Sequence, residues 1–303
     1  MCIRDSYYAI DPNGDLKWVY ETGANNWSNA ALGDDATIFW GSNDTYVRGV
    51  DPAGSEKWRK MTLGFIAASA AVGSDGTVYM PSFDSYLYAL DPSTGKVQWK
   101  FKTNDHVYSS VALGADPMGN TNAIYFGSTD GMFYAVDPSG ELLWTYDTGD
   151  PIRSSPALGK TPDGQNDIVY FGAGNGKLYA LNASDGTRRW SFDTTPDDPE
   201  LVDRNDLNGS PALGKNGIVI GGEHGNIWYL PYDFCLNNQD SRCSADPSED
   251  LPADTDGFFY VTPGGSTVLT GTPEIPIASI AVSYTHLRAH ETDSYLVCRL
   301  LLE

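Results

Sequence analysis

The chain has 303 residues, of which 40 are Asp or Glu and 19 are Lys or Arg, giving a formal net charge of −21 and a pI of about 4.3. This excess of negative charge argues against nucleic acid and anionic membrane surfaces as partners. The composition, with 32 Gly, 18 Pro, 12% aromatic and 19% charged residues, fits an all-β protein of the secreted type that is long enough for one large core.

The first predicted element is a hairpin over residues 7–20, with the sequence YYAIDPNGDLKWVY. The same phrase returns over 46–60, 88–101, 133–146 and 178–192. In the copy at 88–101, Asp91 can accept hydrogen bonds from the turn, Pro92 presets its first φ angle and Gly95 supplies the positive φ that ends it. Aromatic and aliphatic residues alternate on either side of the turn, which predicts two antiparallel strands.

Two further phrases keep the same spacing as the hairpin. A run of small residues ends at Gly33, Gly73, Gly114, Gly159 and Gly214. A run of the VYFG type follows each of them, so each repeat holds four strand-like runs. Asp130-Gly131 and Asn175-Gly176 are hairpin signals between the second and the third run. The fourth run carries Trp18, Trp58, Trp99, Trp144 and Trp190, which are 40, 41, 45 and 46 residues apart.

A unit of four antiparallel strands that repeats every 40–45 residues or so predicts an all-β fold built from β-propeller blades. We expect about five to six blades in this chain, as part of a seven- or eight-bladed ring. No helical periodicity of useful length occurs between residues 7 and 281.

The repeat resembles the PQQ-type β-propeller repeat, whose pattern is Ala-x-Asp-x-x-Thr-Gly-x-x-x-Trp. Ala89, Asp91, Thr94, Gly95 and Trp99 match this pattern position for position. The other copies keep the Asp or Asn, the Gly and the Trp, and the resemblance covers roughly residues 7–230. It implies that the tryptophan docks between neighbouring blades. We therefore expect inter-blade seams at Trp18, Trp58, Trp99, Trp144 and Trp190.

Two function classes are compatible with this resemblance. We favour a non-enzymatic binding or scaffold module of the bacterial cell envelope that is similar to BamB. The alternative is a fragment of a PQQ-dependent dehydrogenase, an enzyme that holds the quinone with Ca²⁺ on carboxylate and amide ligands, often beside a vicinal Cys-Cys disulfide. The chain has no Cys-Cys pair, and no such ligand set can be placed by motif. We therefore expect no catalytic residue, cofactor or metal site.

The residues that precede each run of small residues are predicted to share one face. They are Trp27, Ala67, Tyr108, Arg153 and Asn208. Aromatic and polar tips would suit a binding mouth, although the solvated rim of any propeller would carry them too. Arg204 lies in the long loop before the sixth blade and is a further candidate, because long loops in compact folds are often functional.

Cys235 and Cys243 lie in a polar insertion at the place where the sixth blade should form its fourth strand. Two cysteines that close a short loop in an extracytoplasmic fold suggest a local disulfide, and the alternative is two free thiols. The propeller repeats are assigned to residues 7–250. Residues 251–281 are predicted to form further strands, which either complete the sixth blade or begin another β-module.

The two ends of the chain do not follow the repeat. Residues 1–6 and 282–303 resemble adapter-derived translations at the edges of metagenomic reading frames, so the chain is interpreted as a fragment. No signal peptide precedes the first hairpin. In a fragment this says nothing about location, and an extracytoplasmic location (periplasmic, associated with the outer membrane or secreted) is expected from the resemblance. The expected partner is a protein or another envelope ligand, and membrane insertion is not expected.

Overall fold

The computed structural model describes residues 5–161, 167–195, 206–223, 225–237, 240–245 and 259–261. These residues divide into two compact units. The first contains residues 5–111 and 115–122, and the second contains 112–114 together with the described residues from 123 onward. Apart from one helix of four residues, the regular structure in these ranges consists of strands. The predicted all-β class is therefore confirmed.

The first part of the chain forms one hairpin and two four-stranded antiparallel sheets, in which each strand pairs with the next along the chain. Blade one consists of β1 (Ser6–Ile10) and β2 (Leu16–Glu21). Blade two consists of β3 (Ala31–Leu32), β4 (Ile38–Gly41), β5 (Tyr46–Val50) and β6 (Glu56–Met61). Blade three consists of β7 (Ala71–Val72), β8 (Val78–Ser82), β9 (Tyr86–Leu90) and β10 (Val97–Lys102). The first strand thus begins one residue inside the segment 1–6 that the sequence analysis had set apart.

Three more sheets follow along the chain, and they confirm the predicted four-stranded blades. Blade four consists of β11 (Ala112–Ala115), β12 (Thr121–Gly127), β13 (Met132–Val136) and β14 (Leu142–Asp147). Blade five contains β15 (Ala157–Lys160), β16 (Asp167–Gly172), β17 (Lys177–Asn182) and β18 (Arg188–Asp193). Blade six contains β19 (Ala212–Leu213), β20 (Gly217–Gly221) and β21 (Ile227–Pro231), and helix α1 (Phe234–Asn237) follows it.

The last two strands divide between two blades. Strand β22 (Cys243–Ala245) pairs with β18 and becomes a fifth strand of blade five. Strand β23 (Phe259–Val261) pairs with β21 and takes the fourth position in blade six. The cysteine-bearing insertion therefore does not contribute the fourth strand of blade six. The outer edge of β18 carries backbone groups that no other strand of blade five pairs with, and β22 bonds to them. The corresponding edge of β21 pairs with β23.

The turn chemistry follows the expectation from the repeat. The Asp91 carboxylate accepts hydrogen bonds from the Thr94 amide at 2.8 Å and the Thr94 hydroxyl at 2.7 Å. These bonds hold the pKa of Asp91 below its ordinary value, and the bond from the Thr94 hydroxyl has the largest effect. Gly95 has a φ of +67° and ends the turn, as predicted. Gly131 and Gly176, the second residues of the predicted hairpin dipeptides, also have positive φ.

The second and third strands of each blade carry the core. Strand β4 is buried at every residue and β8 likewise, because other blades or loops cover both faces of these strands. The fourth strands β6, β10 and β14 alternate between exposed and more buried residues. Near-continuous apolar runs such as VYFG are therefore the signature of strands covered on both faces, and alternation is the signature of the outer strand.

Four of the five tryptophans of the repeated hairpin contact the following blade. Their indole N–H groups donate to carbonyl oxygens of the following blade: Trp18 to Pro52 at 3.0 Å, Trp58 to Pro92 at 2.7 Å, Trp144 to Ala183 at 3.0 Å and Trp190 to Tyr232 at 3.0 Å. Trp58, Trp144 and Trp190 are buried, whereas Trp18 is half-buried. Trp99 is also half-buried, and its ring packs against Tyr79 at a centroid distance of 5.8 Å.

A second link between blades joins the residues that lie two positions before their first strands. The amide of Asn29 donates to the hydroxyl of Ser69 at 2.9 Å, and the amide of Ser69 donates to the hydroxyl of Ser110 at 2.9 Å. In the second unit, the amide of Ser155 donates to the hydroxyl of Ser210 at 3.0 Å. All five residues occupy the second position of the small-residue phrase. The serines of that phrase thus connect one blade to the next, a role that the sequence analysis did not assign.

Cys235 of α1 and Cys243 of β22 are joined in a disulfide, which confirms the predicted bridge. Cys235 is buried, and Cys243 is partly exposed. Within the described residues, no helix has the length and apolar character that crossing a bilayer would require.

Candidate functional site

The segments that connect one blade to the next are held by a recurring threonine. Its amide and hydroxyl both donate to one carbonyl, which belongs to Asp5 directly before β1 in the first copy and to a hairpin turn in the other four. In the first four copies the hydroxyl also donates to a carbonyl two residues ahead. The threonines are Thr22, Thr62, Thr103, Thr148 and Thr194. Because these bonds fix the backbone, the residues that follow each threonine have defined positions.

In four of the five segments, a buried apolar residue lies directly before the predicted binding-face position. Ile66, Val107, Ile152 and Leu207 are fully buried in this place. Their amides donate to the carbonyls of Ser42, Ser82, Ser128 and Ala173, respectively. Apolar burial and one backbone hydrogen bond therefore orient the next side chain on each loop.

The structure places the predicted binding-face residues as follows. Trp27 is 38% exposed, while Ala67 is buried and Tyr108 half-buried, all within the first unit. Arg153 and Asn208 are half-buried and belong to the second unit. The side-chain amide of Asn208 donates to the carboxylate of Glu223. Arg204, together with most of its loop, lies outside the described residues.

Four rings gather on the loops of blade three and its neighbours in the first unit. We call Phe65, Phe83, His106 and Tyr108 the aromatic patch. The ring of Phe83 stacks on that of His106 with centroids 5.2 Å apart and an interplanar angle of 7°. The ring centroids of Phe83 and Tyr108 are 5.1 Å apart, and the two ring planes are tilted by 37°. Phe65 is 55% exposed, and its carbonyl accepts the amide of Phe83 at 2.9 Å.

The carboxylate of Asp84 holds the backbone around the aromatic patch in place. Asp84 follows Phe83 and accepts the amide of Leu63 at 2.9 Å and the hydroxyl of Tyr88 at 2.7 Å. Burial, and then the bond to Asp84, raise the pKa of Tyr88 above its ordinary value, so that the phenol stays a donor. The loop tip that presents Leu63, which is 84% exposed, is thereby tied to the turn of Phe83.

Of the aromatic patch, the sequence analysis identified only Tyr108. Phe65 and His106 occupy the position before the buried anchor, and Phe83 follows the turn serine at 82, so each stands at a fixed place in the repeat. Aligning those two positions across the repeats would have found them. Their proximity could not be inferred, because it depends on how two loops and one turn pack together.

The calcium ion of a quinoprotein would need several carboxylate and amide ligands close together. No three His, Cys, Asp or Glu side chains in the described part of the chain come close enough to hold a metal ion. The described carboxylates in the turns instead accept backbone hydrogen bonds, as Asp91 and Asp137 do.

Comparisons with known proteins agree with this architecture. The sequence profile of a family described as outer membrane protein assembly factor BamB matches residues 43–262. A search of curated protein sequences finds no match. The crystal structure of BamB from Moraxella catarrhalis has a TM-score of 0.59 to this chain at 15% sequence identity and covers 77% of this chain and 69% of that one. At this identity the likeness shows the fold alone, which is that of a β-propeller.

Proposed function

Because the chain belongs to the family of the outer membrane protein assembly factor BamB, we propose that it is a non-enzymatic binding module of the bacterial cell envelope. The proposed location is extracytoplasmic, which the disulfide between Cys235 and Cys243 supports because such bonds persist in oxidising compartments. The proposed partner is a protein, and the proposed contact surface is the aromatic patch.

The exposed aromatic patch is the observation that carries this proposal. These rings stand on loops and a turn that backbone hydrogen bonds hold in place. They offer a large contact area, and ordering them on binding costs little conformational entropy. Phe83 is supported by His106 and Tyr108, and Phe65 and Leu63 extend the apolar surface outward. Aromatic residues are enriched in the central contacts of protein interfaces, where a few side chains supply most of the affinity.

The alternative, a quinoprotein fragment, has weaker support. PQQ carries three carboxylates and needs cationic partners, but Arg153 is the only basic residue among the five predicted binding-face positions. In a chain of net charge −21, one arginine would offset little of the repulsion. We therefore propose that the protein acts without PQQ and calcium.

In-cell photo-crosslinking tests the contact surface. With p-benzoylphenylalanine placed at Phe65, we expect crosslinking to one envelope protein that mass spectrometry can identify. The control position is Leu142, which is 51% exposed on the outer strand β14, compared with 55% for Phe65. Because both positions have similar exposure, equal crosslinking at the two would contradict a specific site.

The identified protein is then purified, and calorimetry measures its affinity for the wild-type chain and for Phe83→Ala. Removal of a central aromatic anchor should weaken the Kd by roughly 30-fold or more, which corresponds to about 2 kcal/mol. Thermal unfolding of the variant checks that the fold is retained. An unchanged Kd in a folded variant would exclude the aromatic patch as the contact surface.

A second measurement separates the binding module from the enzyme. In titration calorimetry with PQQ and Ca²⁺ we expect no tight binding, and in a dye-linked assay with simple alcohols and sugars we expect no dye reduction. The physical reason is the repulsion between a tricarboxylate and an acidic chain. Sub-micromolar binding together with turnover would replace the proposed function by the dehydrogenase.

A further inference from the structure

Blade five differs from the other complete blades at its outer edge. The fourth strands β6, β10 and β14 alternate between exposed and more buried residues. In β18, by contrast, Trp190, Ser191 and Phe192 are all buried. Helix α1 and strand β22 provide the cover, since β22 pairs with β18 and α1 packs on both strands.

The backbone pairing of β22 is short, although Cys243 and Ala245 also pack against the core cluster of Trp190 and Phe192. Only three residue pairs join it to β18, with Phe192 opposite Cys243 at one end. One further backbone bond runs from the amide of Asp193 to the carbonyl of Arg242 at 2.9 Å. The guanidinium of Arg242 lies 4.9 Å from the ring centroid of Phe192. A strand of three residues is shorter than usual and has little independent stability.

The segment that carries Cys235 is held more firmly. Phe234 and Cys235 are buried, and the preceding residue, Asp233, pairs with Arg189 at 3.2 Å. The disulfide therefore connects a well-anchored cysteine to a partly exposed one on a weakly paired strand.

We propose that the Cys235–Cys243 disulfide is a reducible clasp that holds β22 on the edge of β18. When the bridge is intact, β22 covers the edge and keeps its backbone groups paired. When the bridge is reduced, β22 separates from β18 and leaves an open strand edge on blade five. Such an edge presents unpaired N–H and C=O groups, so the bridge controls whether this side of the blade is closed.

The reductant is a protein or small-molecule dithiol. Its thiolate attacks Sγ of Cys243, the less buried of the two residues, and forms a mixed disulfide while Cys235 leaves as a thiolate and takes up a proton. The second thiol of the reductant then closes its own disulfide and releases Cys243 as a thiol. The bridge gains two electrons and two protons, and the dithiol loses the same number.

The strand geometry identifies which amides report on the clasp. Successive residues of an antiparallel strand direct their N–H groups to opposite neighbours. Asp193 donates to β22 and Thr194 to the turn before β17, so the Ser191 amide also faces β22. The amides of Trp190 and Phe192 face β17 instead. They form a matched internal control within the same strand.

The test is residue-resolved hydrogen exchange on the full chain before and after reduction with dithiothreitol. We expect exchange at Ser191 and Asp193 to accelerate on the order of fiftyfold, since closing so short a loop restricts the separated strand by about that factor in the chain-entropy picture. Exchange at Trp190 and Phe192 should not change. Cys243→Ser should show the same pattern without reductant, and dithiothreitol should then have no further effect.

Two results would overturn the proposal. If Ser191 and Asp193 stay protected in the reduced chain, the contacts of Arg242 and the strand pairs hold β22 without the bridge. If Trp190 and Phe192 accelerate together with Ser191 and Asp193, the bridge maintains the whole of blade five and does not act as a clasp on one edge.

Discussion

Replacing Trp190 by alanine is expected to lower the free energy of unfolding by about 3–5 kcal/mol. The indole is fully buried, and its N–H donates to the carbonyl of Tyr232 at 3.0 Å. Removal of the ring leaves a cavity between blades five and six and an unpaired carbonyl. Both effects act on the native state, so the midpoint of urea unfolding should fall while the m-value is retained.

Trp27→Ala is the matched control for this substitution. Trp27 has the same side chain but is 38% exposed and lies outside the repeated hairpin phrase. We expect a loss of less than about 1 kcal/mol there. Trp58→Ala should resemble Trp190→Ala, because Trp58 is 7% exposed and donates to Pro92. Equal and small losses at Trp27, Trp58 and Trp190 would defeat the interpretation of the tryptophans as seams between blades.

Gly95→Ala is expected to cause the second large loss of stability, of about 2–5 kcal/mol. Gly95 has a φ of +67°, a backbone region that alanine adopts only at a cost of about 1–2 kcal/mol. In addition, a Cβ at this position would lie 2.4 Å from the ring of Trp58. The overlap forces Trp58 out of the seam, which adds the cost of overpacking to that of the strained backbone.

Gly14→Ala separates these two causes. Gly14 also has a positive φ, of +93°, in the equivalent turn of blade one, but no atom lies within 4 Å of the position of its Cβ. The free energy of unfolding of Gly14→Ala should fall by only about 1–2 kcal/mol, because the strained backbone is the only cost. Urea unfolding of the two variants gives the comparison. If Gly14→Ala were as destabilising as Gly95→Ala, contact with the tryptophan would not explain the glycine.

The position of Gly95 shows how the repeated phrase combines local and long-range requirements. Asp91 and Thr94 shape the turn by bonds within four residues, which is why a single copy already predicts a hairpin. The tryptophan of the preceding blade packs on the same turn, about forty residues away in the sequence. The second requirement was expected only from the resemblance to the PQQ-type repeat, which implies that the tryptophan docks between neighbouring blades.

The amino-acid sequence by itself determined the strands, the turns and the repeat, since these depend on alternation, on turn residues and on spacing within one blade. Only the tertiary structure decided that β22 joins blade five while β23 joins blade six, and that Phe83 meets His106 and Tyr108. Strands β22 and β23 lie beyond the repeated phrases, and the three rings meet only because a loop and a turn that are distant in sequence pack together. Which strand reaches a free edge, and which rings meet, depends on the positions of whole blades and loops, and local residue preferences carry no information about those positions.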